Sequence, residues 1–86
     1  MTIQLTRGAT FTETNEQAIL TSGGRNASYY RLNQVGTRIL KLLLEGKSEE
    51  SVSNCVAQEF GVEAERVRLD LDNLLARLRD ARLIQI

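Results

Sequence analysis

Residues 27–46 read ASYYRLNQVGTRILKLLLEG, and the apolar pattern changes in the middle of this stretch. Residues 27–32 carry two tyrosines and alternate between two faces, which is typical of a β-strand. Asn33 is a residue type that caps helices, and Gly46 is one that ends them. Between the two, apolar residues recur at helical spacing, namely Val35, Ile39, Leu42 and Leu43. The stretch therefore predicts a strand that leads directly into a first helix.

The residues before this stretch favour β-structure. Residues 1–32 are rich in Thr, Ser, Gly and Asn, and β-branched or aromatic residues cluster at 10–13 and 18–21. Residues 14–16 suit a turn, and residues 22–26 include two glycines and an asparagine, which adopt positive φ angles at low cost. We expect a three-stranded antiparallel meander over 10–13, 18–21 and 27–32.

The residues after this stretch predict two more helices. Ser48 caps the second helix, which Gly61 ends, and its expected apolar face is Val52, Cys55, Val56 and Phe60. The third helix runs over 63–81, and its expected core residues are Val67, Leu71, Leu74 and Leu78. Residues 83–86 form an apolar tail that we expect to pack back on the helices. The predicted fold class is α+β and winged-helix-like, with a three-stranded antiparallel sheet followed by a three-helix bundle in a single domain, residues 1–86.

The composition favours a binding module over an enzyme. The 86 residues include one cysteine, Cys55, and no histidine, so the commonest general base and the commonest metal ligand are both missing. The carboxylate pairs Glu49/Glu50 and Asp70/Asp72 lie one or two residues apart on helices and do not share a face. We expect no catalytic residue, metal or cofactor, and a buried structural role for Cys55. The chain start and the lack of a long apolar run predict a cytoplasmic protein.

Charge argues against nucleic acid as a partner. Eleven Lys and Arg residues balance eleven Asp and Glu residues. Proteins that bind nucleic acid take much of their affinity from neutralised phosphates and usually carry a basic excess. A winged-helix DNA-binding regulator, which would share this fold, is the alternative function, and a subunit that dimerises through a sheet edge is a third.

One face of the third helix carries more apolar surface than the core requires. Leu69 lies well away from the core sector and beside Ala76, while Leu75 lies at the border of that sector. Three charged residues fill the arc between Leu75 and Leu69, and these are Arg68, Asp72 and Arg79. A lone surface leucine is an equally common explanation of the pattern.

The third predicted strand offers an unprotected edge. Ser28, Tyr30 and Leu32 share one face, and Ala27, Tyr29 and Arg31 share the other. The strand lacks the lysine or proline that usually blunts an edge, so an extended peptide could add to it. Coverage of this edge by the amino-terminal residues is an equal alternative, and the pattern leaves open which tyrosine would face a ligand.

Residues 30–46, YRLNQVGTRILKLLLEG, resemble the signature Y-x-L-N-x-x-G-x-x-I-W-x-L-L-x-x-G of PqqD-like proteins. These proteins are the recognition elements for ribosomally synthesised and post-translationally modified peptides. Residues 48–52 and 70–78 are similar to the entry into the family's second helix and to its third helix, so the resemblance covers residues 18–84. Leu40 stands where tryptophan is common and Arg82 where glycine is usual. The length and the signature are most similar to the discrete leader-binding proteins of lasso peptide biosynthesis.

The resemblance implies a winged-helix-like protein that is not an enzyme. Such proteins bind the leader segment of a precursor peptide as an added antiparallel strand, in a groove between the third strand and the third helix, and present it to a separate leader peptidase and cyclase. Carried over to this chain, the peptide-binding residues are Ala27, Ser28, Tyr29, Tyr30, Arg31, Leu32, Arg68, Leu69, Asp72, Leu75, Ala76 and Arg79. An apolar pocket between the strand and Leu75 is expected to hold a tyrosine and a proline of the leader. Leu75→Asp is then predicted to abolish binding while the fold is retained.

Overall fold

A computed structural model describes residues 3–25 and 27–85 of the chain. In chain order these residues form β1 (Gln4–Leu5), β2 (Thr10–Thr14), β3 (Gln17–Thr21), β4 (Tyr29–Leu32), α1 (Gln34–Leu44), α2 (Glu49–Phe60), α3 (Ala64–Asp80) and β5 (Ile84–Gln85). Strands β2, β3 and β4 form an antiparallel sheet in that order, and the three helices follow it. The predicted α+β class and the three-stranded meander are confirmed.

A tight two-residue turn joins β2 to β3. Asn15 and Glu16 both have positive φ, 51° and 66°, as the central residues of a type I′ turn do. This turn matches the right-handed twist of the strands, so pairing continues up to Thr14 and Gln17. Each strand is therefore one residue longer at the turn than predicted.

Strand β4 is shorter than predicted and begins at Tyr29 instead of residue 27. The backbone N–H of Ser28 donates to the side-chain Oγ of Ser22 at 2.7 Å, and so it is not available to a strand carbonyl. The carbonyl of Ser28 still accepts from the N–H of Ser22 at 3.0 Å. Ala27 and Ser28 thus lead into the strand without belonging to it.

The predicted caps of α1 and α2 are confirmed. Asn33 Oδ1 accepts from the N–H of Gly36 at 2.8 Å. A Cβ atom at Gly36 would lie only 3.3 Å from that oxygen, which explains why a glycine three residues after the asparagine suits this turn. Ser48 Oγ accepts from the N–H of Ser51 at 3.1 Å, and Gly61 ends α2 in the left-handed conformation.

The end of α3 is a Schellman motif. The N–H of Arg82 donates to the carbonyl of Arg79, and the N–H of Leu83 donates to that of Leu78, both at 2.9 Å. Arg82 has a φ of 59°. The position therefore requires the left-handed conformation that glycine adopts most easily, and here an arginine adopts it.

The apolar tail packs back, as expected for the residues that the structure describes. Leu83 and Ile84 are buried, and β5 pairs antiparallel with β1 through Gln4–Gln85 and Leu5–Ile84. Ile86 lies outside the described residues, as does Asn26 in the predicted turn 22–26. The β1–β5 pair was not predicted, since two-residue strands leave no periodic signal.

One hydrophobic core joins the sheet and the helices. Its largest fully buried side chains are Leu20, Ile39, Leu40, Leu71, Leu78, Leu83, Val52, Val56 and Val67. The predicted burial of Cys55 is wrong, because its side chain is exposed. The buried face of α2 includes Ser53 and Ala57 beside the two valines, and at about 100° per residue Cys55 falls outside that face. None of the helices in 3–25 and 27–85 has both the length and the apolarity that crossing a membrane requires.

Candidate functional site

Strand β4 is an edge strand. The sheet order is β2-β3-β4, and β1 pairs with β5, so within the described residues no strand covers the outer edge of β4. Hydrogen-bonded pairs alternate along an antiparallel ladder. Since Ser28 bonds to Ser22, the next bonded residues are Tyr30 and Leu32. The backbone N–H and C=O groups of Tyr29 and Arg31 therefore point towards the open edge.

A cleft of about 280 Å³ lies between this edge and α3. We call it the strand cleft. Its lining residues on β4 and the start of α1 are Tyr30, Arg31, Leu32, Asn33, Val35, Gly36 and Ile39, and those on α3 are Asp70, Asn73, Leu74 and Arg77. The volume is slightly below the range of roughly 300–1,000 Å³ that small-molecule sites occupy. It suits single side chains of a peptide better than a whole cofactor.

Polar groups of α3 line one wall of the strand cleft, and apolar groups lie deeper. Arg77 Nη1 contacts the hydroxyl of Tyr30 at 3.5 Å, and this contact raises the pKa of the Arg77 guanidinium. Like any arginine side chain, it is cationic across the physiological pH range. Asp70 and Asn73 add an acceptor and an amide, while Leu74 is buried against the core. Such a site can bind an apolar side chain of a ligand and form hydrogen bonds to polar atoms of the ligand at the cleft wall.

The strand half of the predicted site lies at this cleft. Tyr30, Arg31 and Leu32 line it, and the predicted alternation of faces is confirmed. Tyr29 projects to the other side and is 75% exposed. Tyr30 is therefore the tyrosine that faces the cleft, which the sequence pattern left open.

The helix half of the predicted site lies elsewhere on α3. None of the six predicted helix residues lines the strand cleft, whose α3 wall is formed by Asp70, Asn73, Leu74 and Arg77. Leu75 is buried and absent from the lining, and Leu74 is the leucine of α3 at the cleft, so a leader pocket against Leu75 stays a prediction. The six predicted residues are Arg68, Leu69, Asp72, Leu75, Ala76 and Arg79.

Two of these residues take part in contacts on the side of α3 that faces α2. Arg68 lies 3.7 Å from a carboxylate oxygen of Glu49 in α2 and 3.5 Å from Asp72. Leu69 is 65% exposed and lies outside the cleft lining. Contact of these residues with a peptide stays a prediction.

The α3 residues that line the strand cleft follow a regular spacing in the sequence. Asp70, Asn73 and Arg77 are spaced by three and four residues, so they form a polar stripe along one flank of the core sector. Arg68, Asp72 and Arg79 form a similar stripe on the other flank. Periodicity places both stripes on the helix, but only the packing of α3 shows which one faces β4.

A further cleft, of about 230 Å³, lies between the β2–β3 hairpin and α1, and four of its five charged side chains form ion pairs. Lys41 contacts Glu13 and Arg38 contacts Glu59, each at 3.0 Å. The fifth, Glu16, accepts a hydrogen bond from the side-chain amide of Gln34, and no cation pairs with it within the described residues. In the part of the chain that the structure describes, no group of three or more His, Cys, Asp or Glu side chains could hold a metal ion.

Comparisons with known proteins identify relatives of this chain. A family model described as coenzyme PQQ synthesis protein D (PqqD) matches residues 16–84. A solved structure of TbiB1 in complex with the TbiA(beta) leader peptide is 26% identical, with a TM-score of 0.83, over 95% of this chain and 94% of that one. A lasso peptide synthetase B1 complexed with the leader peptide is 23% identical, with a TM-score of 0.88, over the full length of both chains, and supports the fold. No curated protein matches the chain.

Proposed function

This chain belongs to the PqqD family, and we propose that it binds the leader segment of a ribosomally synthesised precursor peptide as an added strand on β4. The observation that carries the proposal is the open edge of β4 beside the strand cleft. The two similar structures, each a complex with a leader peptide, support the choice of ligand.

The main chain of β4 would supply most of the contacts. The N–H and C=O groups of Tyr29 and Arg31 are directed to the edge, and an antiparallel strand pairs with both residues. The sheet is antiparallel throughout, so such a strand extends the existing pattern. These bonds hold any extended peptide, and selectivity must come from its side chains.

The strand cleft would supply that selectivity. Alternate residues of an added strand point to the same face, so every second leader side chain is directed towards α3. Leu32 and Leu74 offer apolar surface, and Asp70, Asn73 and Arg77 offer polar partners around it. An aromatic or aliphatic anchor with a polar tip fits this arrangement.

The proposed mechanism involves no bond making or breaking. A disordered leader loses conformational freedom when it binds, so we expect a dissociation constant of about one micromolar or somewhat below. Holding the leader raises the concentration of the attached core peptide near a separate leader peptidase and a cyclase. The chain thus serves lasso peptide maturation in the cytoplasm as a peptide carrier, without a cofactor.

The test is isothermal titration calorimetry with a synthetic leader from the precursor encoded beside this chain's gene. We expect saturable one-to-one binding to the leader, and none to the isolated core peptide or to a scrambled leader of equal composition. Equal affinity for the leader and its scrambled form would contradict the proposal.

A further inference from the structure

A third cleft lies where β4 begins, and its polar side chains are basic and hydroxylic. Its volume is about 280 Å³, and Arg7 and Arg82 line it together with Thr6, Ser22 and Ser28. We call it the basic cleft. Within residues 3–25 and 27–85, neither arginine forms an ion pair. Two guanidinium groups without a carboxylate partner favour an anionic ligand.

Hydrogen bonds and close backbone contacts hold the segments around the basic cleft in place. The N–H of Thr6 donates to the carbonyl of Leu83 at 2.9 Å, which holds the segment before Arg7 against the end of α3. A Cβ atom at Gly23 would lie 2.8 Å from the carbonyl oxygen of Gly8, so these two loops touch through their backbones. Arg82 sits in the Schellman motif described above. The two arginines are therefore carried by positions that packing and hydrogen bonds fix.

The strand cleft and the basic cleft lie towards opposite ends of β4. The strand cleft includes Leu32 and Asp70, whereas the basic cleft includes Ser28 and Ala81. Strand β4 and helix α3 therefore run in opposite directions between the two clefts. A peptide that pairs antiparallel with β4 begins near Leu32 and Asp70, and its carboxyl-terminal part leaves over Ser28 and the basic cleft.

We infer that the leader carries an acidic side chain just after the added strand, and that this carboxylate binds between Arg7 and Arg82. The inference rests on the strand addition proposed above. A carboxylate accepts hydrogen bonds from both guanidinium groups, and Ser22 can donate its hydroxyl hydrogen because its oxygen already accepts from Ser28. The contact fixes the direction of the peptide and places the core peptide beyond the end of α3.

Matched variants test the contact. Arg7→Gln removes one charge, and Arg82→Asn removes the other with a residue type that tolerates positive φ. We expect the double variant to bind the leader about three- to tenfold more weakly, as partly exposed charge pairs allow. Lys47→Gln, which removes a charge from the α1–α2 loop, should leave the affinity unchanged.

The peptide provides the other half of the test. A leader in which each acidic residue after the paired segment is replaced by its amide should bind wild-type protein as weakly as the double variant binds the natural leader. When the double variant is combined with the amide-substituted leader, the loss of affinity should be little greater than the loss caused by either change alone. Equal affinity of the double variant and wild type overturns the inference, as does a leader with no acidic residue in this segment. Failure of wild-type protein to bind the leader at all would instead overturn the proposed function.

A nitroxide label reports the direction of the peptide. The label should be attached through a maleimide, because the exposed Cys55 would exchange with a disulfide-linked label. At the carboxyl end of the leader it should broaden the amide signals of Gly23, Ser28 and Arg82. At the amino end it should broaden those of Asn33 and Asp70. The reverse pattern would overturn the inference.

Discussion

Arg82 occupies a left-handed backbone position just past the end of α3, with a φ of 59°. Glycine is usual near this point in proteins that resemble this chain, and the Schellman geometry explains that preference. A residue with a Cβ atom is strained there, by about 1 kcal/mol or somewhat more.

Replacing this residue should therefore stabilise the protein. We expect Arg82→Gly to raise the free energy of unfolding by about 0.5–1 kcal/mol, because the relieved strain exceeds the greater flexibility of glycine in the unfolded chain. Urea denaturation followed by circular dichroism measures the change. Ala81→Gly, at a neighbouring position with negative φ, should lower the stability instead. A destabilised Arg82→Gly protein would contradict this account.

At the residue scale, local chemistry was the most predictable part of the structure. Asn33 and Ser48 cap their helices as their residue types and positions indicate, because capping depends only on atoms three residues away. Cys55 was misplaced, since its burial depends on how α2 is rotated against the rest of the protein. The left-handed conformation of Arg82 was also missed, because an arginine gives no local signal for it.

At the scale of the element, the edge of β4 is the feature on which the proposal depends. Arg31 directs its N–H to that edge, so a proline at this position removes one donor without removing a bond to β3. We expect Arg31→Pro to weaken leader binding about tenfold, since it loses a main-chain hydrogen bond and places the proline ring against the added strand.

The control for this variant is Arg31→Ala, which removes the side chain but keeps the N–H. It should retain most of the affinity in the same calorimetric titration. Unfolding midpoints of both variants should stay close to that of wild type. Equal losses of affinity in the two variants would show that leader binding depends on the Arg31 side chain and not on the main-chain N–H of an added strand.

Helix α3 has two polar flanks, one at the strand cleft and one near Arg68. Placing a bulky side chain on each flank in turn tests which of them contacts the leader. Asn73 is exposed and lines the strand cleft, whereas Asp72 is its exposed neighbour near Arg68. We expect Asn73→Trp to weaken leader binding at least about tenfold by filling the cleft, and Asp72→Trp to leave it within about twofold. Fluorescence anisotropy of a labelled leader measures both. A larger loss of affinity for Asp72→Trp than for Asn73→Trp would instead place the leader on the flank of α3 that was predicted from the sequence.

Leu75→Asp is not a suitable test of that face. Leu75 is buried in the core, so a carboxylate there would lack hydrogen-bond partners and the protein would unfold or lose several kcal/mol of stability. Loss of binding by this variant would then reflect loss of the fold, contrary to the expectation from the sequence.

The elements themselves were largely predictable. Three helices with long apolar periodicity and a meander with clear turn residues followed from pattern alone, and their boundaries were correct within two residues. The flank of α3 that faces β4 could not be predicted, because Arg68 and Arg77 lie on equivalent edges of the same apolar sector. Pairing between β1 and β5 brings together residues about eighty positions apart, which local sequence does not encode.

At the scale of the whole molecule, the balanced charge favours a peptide carrier over a DNA-binding regulator, and the salt dependence of binding distinguishes these two functions. A protein that neutralises many phosphates loses about 10³-fold or more in affinity between roughly 50 and 200 mM salt. Strand addition depends mainly on main-chain bonds and apolar contact, and the charged side chains of the strand cleft and the basic cleft add only a few charged contacts. We therefore expect leader affinity to fall less than about tenfold over that range in calorimetric titrations. A steep loss would favour a polyanionic ligand.

Strand addition on β4 is tested most directly by titrating isotope-labelled protein with the leader peptide and following the titration by NMR. We expect amide shifts to gather on β4 and on Asp70, Asn73 and Arg77, with new cross-strand contacts between leader backbone protons and those of Tyr29 and Arg31. Shifts confined to the outer flank of α3 at Arg68, Asp72 and Arg79, with the amides of β4 unmoved, would contradict strand addition.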